Sequence, residues 1–124
     1  MDANALLLCA RSTFPLEAEV ERIVGSAEIM VPSSVLRELD ALVARGVPDA
    51  GLARSLAGRH SRIDHPGSGD DSILGLAIDR EAFVVTADRD LSERLLDAGR
   101  DVLVPRDRDR LVRRAGRRRP PSNG

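Results

Sequence analysis

Four short strand-like runs, separated by helix-period sequence, constrain this chain more than any other feature. The runs lie at 28–31, 62–65, 83–86 and 101–104. Leu16, Val20, Ile23 and Val24 fall at i, i+4, i+7 and i+8 behind Pro15, and Gly25 suits a stop, so 15–24 is predicted helical. A second helix is predicted from Ser33 or Ser34 to Gly46, with Val35, Leu39, Leu42 and Val43 as its core stripe. A third, weaker helix spans 50–57. A fourth opens at Asp70 after the loop 66–69 and turns Ile73, Leu74, Ala77 and Ile78 inward. A fifth carries Leu91 and Leu95, begins in a capping-box-like pairing of Asp90 with Glu93, and closes at Gly99. Strands alternating with helices imply βαβ units. The expected fold is therefore α/β: a three-layer α/β/α sandwich with a central parallel sheet.

Composition narrows the function classes. A chain of 124 residues is one domain with its own core. Aromatic residues make up only 2%, with two Phe and neither Tyr nor Trp, so the core is aliphatic, which argues against base-stacking platforms. Cys9 is the single cysteine, which excludes an internal disulfide and a Cys-rich zinc site, and reads as a small buried apolar residue. No run has the apolar length to span a bilayer and no secretory leader is read, so a cytoplasmic protein is expected. Charge is uneven. Residues 1–100 carry 11 Arg against 17 Asp and Glu, whereas 101–124 carry 8 Arg against 3 Asp. An acidic body thus bears a basic end, a candidate nucleic-acid contact. The expected division is a domain over 1–112 and a basic, disordered tail over 113–124, with the character of the chain changing at Pro105.

The carboxylates fall where an open parallel sheet binds ligands, beyond the carboxyl ends of its strands. Asp88 lies two residues past the run 83–86. Asp70 and Asp71 lie where the loop after 62–65 enters a helix. Glu38 lies in the first turns of the helix after 28–31, and Asp2 precedes the first helical region. Glu38 falls three residues after Val35 and four before Leu42, so it borders the apolar stripe. Several carboxylates aimed at one spot raise one another's pKa, and a divalent cation relieves that cost. An all-oxygen set favours Mg²⁺ or Mn²⁺ over Zn²⁺.

Four motifs carry a resemblance. Asp2-Ala3-Asn4-Ala5-Leu6-Leu7, Val31-Pro32-Ser33-Ser34-Val35-Leu36-Arg37-Glu38-Leu39, Gly69-Asp70-Asp71-Ser72-Ile73-Leu74 with Leu76-Ala77, and Val85-Thr86-Ala87-Asp88-Arg89-Asp90-Leu91 stand in order. Together they cover residues 2 to about 110, and the chain resembles a PIN domain of the small single-domain type, VapC-like toxin or archaeal rRNA-processing enzyme. The resemblance implies a Mg²⁺- or Mn²⁺-dependent endoribonuclease of the FEN-like metal-nuclease superfamily. By position, Asp2, Glu38, Asp70 and Asp88 would be its catalytic, metal-binding acids. Asn4, Asp71, Thr86 and Asp90 would support them. RNA is the implied substrate; an antitoxin protein and a homodimer are implied partners, and no membrane is involved.

One departure stands out. PIN domains lead into the first Asp by an apolar central strand, and here only Met1 precedes Asp2. The expectation is an initiator read too late, with about four to six aliphatic residues upstream; the alternative is a domain lacking its first strand. That departure motivates a second reading, a catalytically weak or inactive PIN-fold module that binds RNA or protein. A third is a phosphohydrolase with another acidic Mg²⁺ site.

Each candidate also has an ordinary role. Asp70 and Asp90 suit helix caps, and Asp88 suits a turn. His60 and His65 lack a third nitrogen or sulfur ligand, and Gly67-Ser68-Gly69 lacks the Lys of a P-loop. Arg37, Arg89 and Arg94 lie near the proposed site and can hold phosphate or pair with a neighbouring acid. Arg117, Arg118 and Arg119 can contact RNA or simply solvate the tail.

Overall fold

Met1 and Asp2 sit at the middle of the molecule, between two small sheets. The computed structural model describes residues 1–12, 14–67, 69–80, 82–107 and 110–117. Helix α1 (Ala3–Ser12) starts directly after Asp2, and α2 (Leu16–Val24) follows. Strand β1 (Met30–Pro32) leads into α3 (Ser33–Ala44) and α4 (Ala50–Ala57). Strand β2 (Ser61–Ile63) leads into α5 (Gly69–Arg80), and β3 (Val84–Val85) into α6 (Arg89–Asp97). Strands β4 (Val102–Asp107) and β5 (Arg110–Arg114) close the described fold.

The α/β class expected from the alternation is the class observed. β1 pairs with β2 in parallel, Val31 opposite Arg62, and β3 pairs with β4 in parallel, Val84 opposite Val102. Two features depart from the expectation. First, the described strands form two sheets, ordered β1-β2 and β3-β4-β5, rather than one. Among the described residues no strand joins the two sheets. Second, β5 runs antiparallel to β4, with Leu103 opposite Arg113 and Val104 opposite Val112. Pro105 therefore lies inside a strand, and the expected boundary at 112/113 falls inside β5. The rest of the expected tail, residues 118–124, lies outside the described residues.

The core is aliphatic, as the composition requires. Leu6, Val31, Val35, Leu39, Leu91 and Leu95 are all at most 1% exposed. Burial of such side chains stabilises by roughly 1.5–3 kcal/mol each. Two expected core residues are outside it: Val43 is 44% and Ile78 45% exposed. Both lie in the last turn of their helix. Phe83, expected in a buried strand, is also exposed at 43%, because only Val84 and Val85 are in that strand. Cys9 is half-buried, and burial pushes its thiol up to about 11, which keeps it unreactive. Among the described residues no helix is long and apolar enough to cross a membrane.

Candidate active site

Asp2 is the N-cap of α1. Its Oδ1 accepts the backbone N–H of Ala5 at 2.9 Å, and its carbonyl accepts from Leu6 at 3.3 Å. A short polar side chain at this point satisfies one of the four orphan donors of the first turn. Asp2 is nonetheless buried, at 4% exposure, beside the end of β3. Its other oxygen accepts the hydroxyl of Thr86, which is itself completely buried. The Thr86 Oγ1 in turn accepts the backbone N–H of Asp88 at 2.9 Å. A relay from Asp88 N–H through Thr86 to Asp2 thus ties two of the four acidic positions together across 86 residues of sequence.

Asp88 caps the next helix. Its Oδ1 accepts the Leu91 N–H at 3.0 Å, and α6 starts at Arg89. The capping box expected of Asp90 with Glu93 is therefore not how α6 begins. Asp88, one of the proposed site acids, is the cap, and Asp90 is exposed in the first turn. Asp70 and Asp71 occupy the first turn of α5, where the helix dipole favours negative charge.

Asp2, Glu38 and Asp70 each feel a neighbouring acid's charge. Burial pushes the Asp2 carboxyl above its usual range, and the Asp88 charge pushes the same way, against hydrogen bonds from Thr86 and Ala5. Glu38 is pushed up by partial desolvation, then by Asp2 and by Asp70. Asp70 is pushed up by burial, then by Asp88, with Asp71 and Asp90 adding to it and Arg94 opposing it. The electrostatic links run Asp2 to Glu38, Glu38 to Asp70, Asp70 to Asp88 and Asp88 back to Asp2. Four acids from separate stretches of the chain are thus linked, Asp88 acting on Asp2 and Asp70, and those two acting on Glu38. Glu38 corrects one expectation: it borders the stripe but is exposed, not turned into the core.

Donor chemistry fits a hard divalent cation. All candidate ligands are oxygens, and each oxygen of Asp2 keeps a lone pair beyond the bond it accepts. The buried hydroxyls of Ser34, one turn before Glu38, and of Ser72, two residues after Asp70, have no hydrogen-bond partner. Spare polar oxygens beside the acids suit an ion and its ordered water. As they stand, no three His, Cys, Asp or Glu side chains among the described residues are gathered closely enough to hold an ion. Glu38 is exposed and Asp70 half-buried, whereas Asp2 is buried.

The arginines divide. Arg94 Nη2 donates to Asp71 Oδ1 at 2.7 Å, so it pairs with an acid beside the ring. Arg37 and Arg89 are exposed, as is Asn4 in the first turn of α1. Arg117 donates to both Glu93 and Asp97. Arg118 and Arg119 lie outside the described residues. His65 pairs with Asp79 at 3.0 Å, and that bond pushes its pKa up. The ring of His65 also closes off Gly75, where a Cβ would stand 2.5 Å from its Cε1. His60 is pushed down by burial, at the mouth of a shallow pocket with Glu17 and Glu21.

Sequence reasoning missed the Ser33 hydroxyl, which hydrogen-bonds Asp64 and holds its carboxyl low, with Arg62 adding to the effect. The signal was available: a Ser at the first position of a helix has a side chain aimed at local partners.

Residues 1–108 match the family model described as a PIN like domain, a span that contains every acid of the ring. No curated protein matches the chain.

Proposed function

Because the chain belongs to the PIN like domain family, a nuclease-type fold, we propose that it is a Mg²⁺- or Mn²⁺-dependent endoribonuclease that hydrolyses RNA phosphodiester bonds. The observation that carries this reading is the set Asp2, Glu38, Asp70 and Asp88, in which Asp88 pushes up the pKa of Asp2 and of Asp70, and Asp2 and Asp70 push up that of Glu38. Like charges at such range are costly unless a cation offsets them.

Asp2, Glu38, Asp70 and Asp88 would hold the ion. A bound divalent cation supplies activated water and neutralises charge that builds on the scissile phosphate. Thr86 keeps the buried Asp2 carboxylate in one orientation, and the α1 N-terminus adds the Ala5 N–H. Asp71, held by Arg94, keeps a positive group beside the acids without placing it among them. Arg37 and Arg89, exposed near the acids, are the side chains for the RNA backbone. Without its cation the site repels RNA, so the ion serves substrate binding as well as chemistry.

Two biological roles fit the same chemistry. A toxin would be held by an antitoxin protein covering the acidic ring; an RNA-maturation enzyme would act on an rRNA or tRNA precursor. A PIN-fold binding module is the second reading, favoured by the divided sheet and by ligands that are not drawn together.

Cleavage of a mixed RNA pool tests the reading. Purified protein should cut with Mn²⁺ or Mg²⁺ and not with EDTA, and Asp70→Asn should reduce the rate at least about a hundredfold with the fold intact. Cleavage that survives that substitution sinks the site assignment. Intact RNA from a folded preparation that also binds no Mn²⁺ by calorimetry favours the binding module.

A further inference from the structure

The pairing of β4 with β5 slips at one residue. Pro105 stands opposite Leu111 and Asp107 opposite Arg110, so Arg106 has no residue across from it. Arg106 is the extra residue of a β-bulge. Bulges recur beside active sites, where they re-aim a side chain. Pro105, which has no N–H to give the ladder, suits the same place. Arg106 is exposed, as is Arg110 on the other strand of the hairpin.

Parallel pairing brings this bulge level with the acids. Val84 is opposite Val102 and Val85 opposite Leu103, and the Thr86 N–H continues the ladder to the Leu103 carbonyl at 3.1 Å. The backbone at Asp88 is still extended, with φ −88° and ψ 120°. Three residues beyond Val85 is Asp88, and three beyond Leu103 is Arg106. The two therefore stand level on neighbouring segments, and neighbouring strands lie about 4.8 Å apart. This is the carboxyl end of the parallel pair, where an open α/β sheet binds its ligands.

The arginines of this end of the chain differ in what they face. Arg113 pairs with Asp101, Arg114 with Glu93, and Arg117 with Glu93 and Asp97. Among the described residues Arg106 and Arg110 make no such pair. Glu19 feels the Arg110 charge, but Arg22 and the Leu111 N–H already occupy that carboxylate. A cation among the acids neutralises one phosphate of a bound strand. Phosphates on either side still meet negative charge, from Asp71 and Asp90 in the first turns of α5 and α6. Exposed guanidinium groups beside Asp88 offset that repulsion, and their planar fork matches a phosphate.

We propose, on the reading that this chain acts on RNA, that the β4–β5 hairpin is its backbone clamp: Arg106 and Arg110 hold the phosphates next to the one at the acids. Such contacts set the position of the strand and leave its sequence unread.

The test is binding of a labelled single-stranded oligouridine, followed by anisotropy in EDTA as salt rises. The parent is compared with a chain carrying Arg106→Gln and Arg110→Gln, and with one carrying Arg106→Lys and Arg110→Lys. Arg45→Gln with Arg114→Gln is the control, removing equal charge at the end of α3 and the last residue of β5. The Gln pair should bind at least about tenfold more weakly, and its slope of log affinity against log salt should fall by about 1.4, two phosphates at about 0.7 each. The Lys pair should keep the parent's slope, because the charge stays. In cleavage with Mn²⁺ the Gln pair should show its loss in KM rather than kcat. A Gln pair that binds as the control does overturns the clamp. A Lys pair that loses the slope also overturns it, by assigning the loss to the shape of the hairpin. Binding needs no cleavage: RNA held through these arginines but left uncut counts against the nuclease and not the clamp, and RNA cut equally well without them counts against the clamp and not the nuclease.

Discussion

Thr86 does three things with one hydroxyl. It donates to a buried carboxylate, accepts from the Asp88 backbone, and so sets the spacing between two acids of the site. Thr86→Val keeps the shape and removes the oxygen, leaving the Asp2 carboxylate short of a donor and Asp88 N–H short of an acceptor. The expected cost is about 1–3 kcal/mol in urea unfolding, with Thr86→Ser restoring most of it. Asp70 gives a pH signature. Burial and the Asp88 charge raise its pKa above the model-compound 3.8, so in the fold it holds its proton where the unfolded chain has lost it. The stability from that difference is present below the unfolded value and is lost as pH rises through the native one. In EDTA, Asp70→Asn should therefore melt above the parent protein at about pH 7, and the gap should close below the unfolded value near 4. Added Mn²⁺ should raise the parent's melting temperature and leave that of the variant unmoved. A gap that widens toward acid would contradict the placement of Asp70 in the ring.

Elements were legible where packing repeats along them, and less so where a single residue carries the contact. The helical stripe of α3 shows in the spacing of Val35 and Leu39, and α6 shows in Leu91 and Leu95, all fully buried or nearly so. Of the candidate acids, Asp70 and Asp88 stand at strand-to-helix connections, where sequence patterning marks them, whereas Glu38 lies inside α3. β5 was not, because Arg110-Leu111-Val112-Arg113-Arg114 is mostly arginine and only Leu111 is deeply buried. That residue is clasped at both ends by α2: Glu19 accepts its N–H at 2.9 Å and Arg22 donates to its carbonyl at 3.0 Å. Arg113 adds an ion pair to Asp101 and lies 4.8 Å over the ring of Phe83. None of these partners is near in sequence, so no local pattern announces the strand. Leu111→Ala should cost about 2–5 kcal/mol, read by thermal unfolding, as for other buried leucines. A loss under half a kcal/mol would mean that β5 is not part of the cooperative unit. The start of α6 was misread as Asp90 with Glu93 because Asp88, which caps it, also suits a turn, and cap preference alone cannot distinguish the two.

At the scale of the whole molecule, the basic end is less free than its composition suggests. Arg113, Arg114 and Arg117 pair with Asp101, Glu93 and Asp97. Much of that charge is spent on the chain's own acids. Removing residues 118–124 takes away Arg118 and Arg119, and the slope of log affinity against log salt for single-stranded RNA should fall by about 1. A truncated chain with an unchanged slope would place RNA contact elsewhere, with Arg37 and Arg89 the next to test.

The bond from Thr86 to Asp2 also dictates an order of events during synthesis. The first acid of the site leaves the ribosome before any other, yet its partner hydroxyl is made 84 positions later, and the strand that pairs beside that hydroxyl later still. At roughly 5–20 residues per second, Asp2 waits several seconds for that hydroxyl. Contacts of such wide sequence separation also slow the search once the chain is complete. Asp2 is thus fixed only once nearly all of the candidate site has been made.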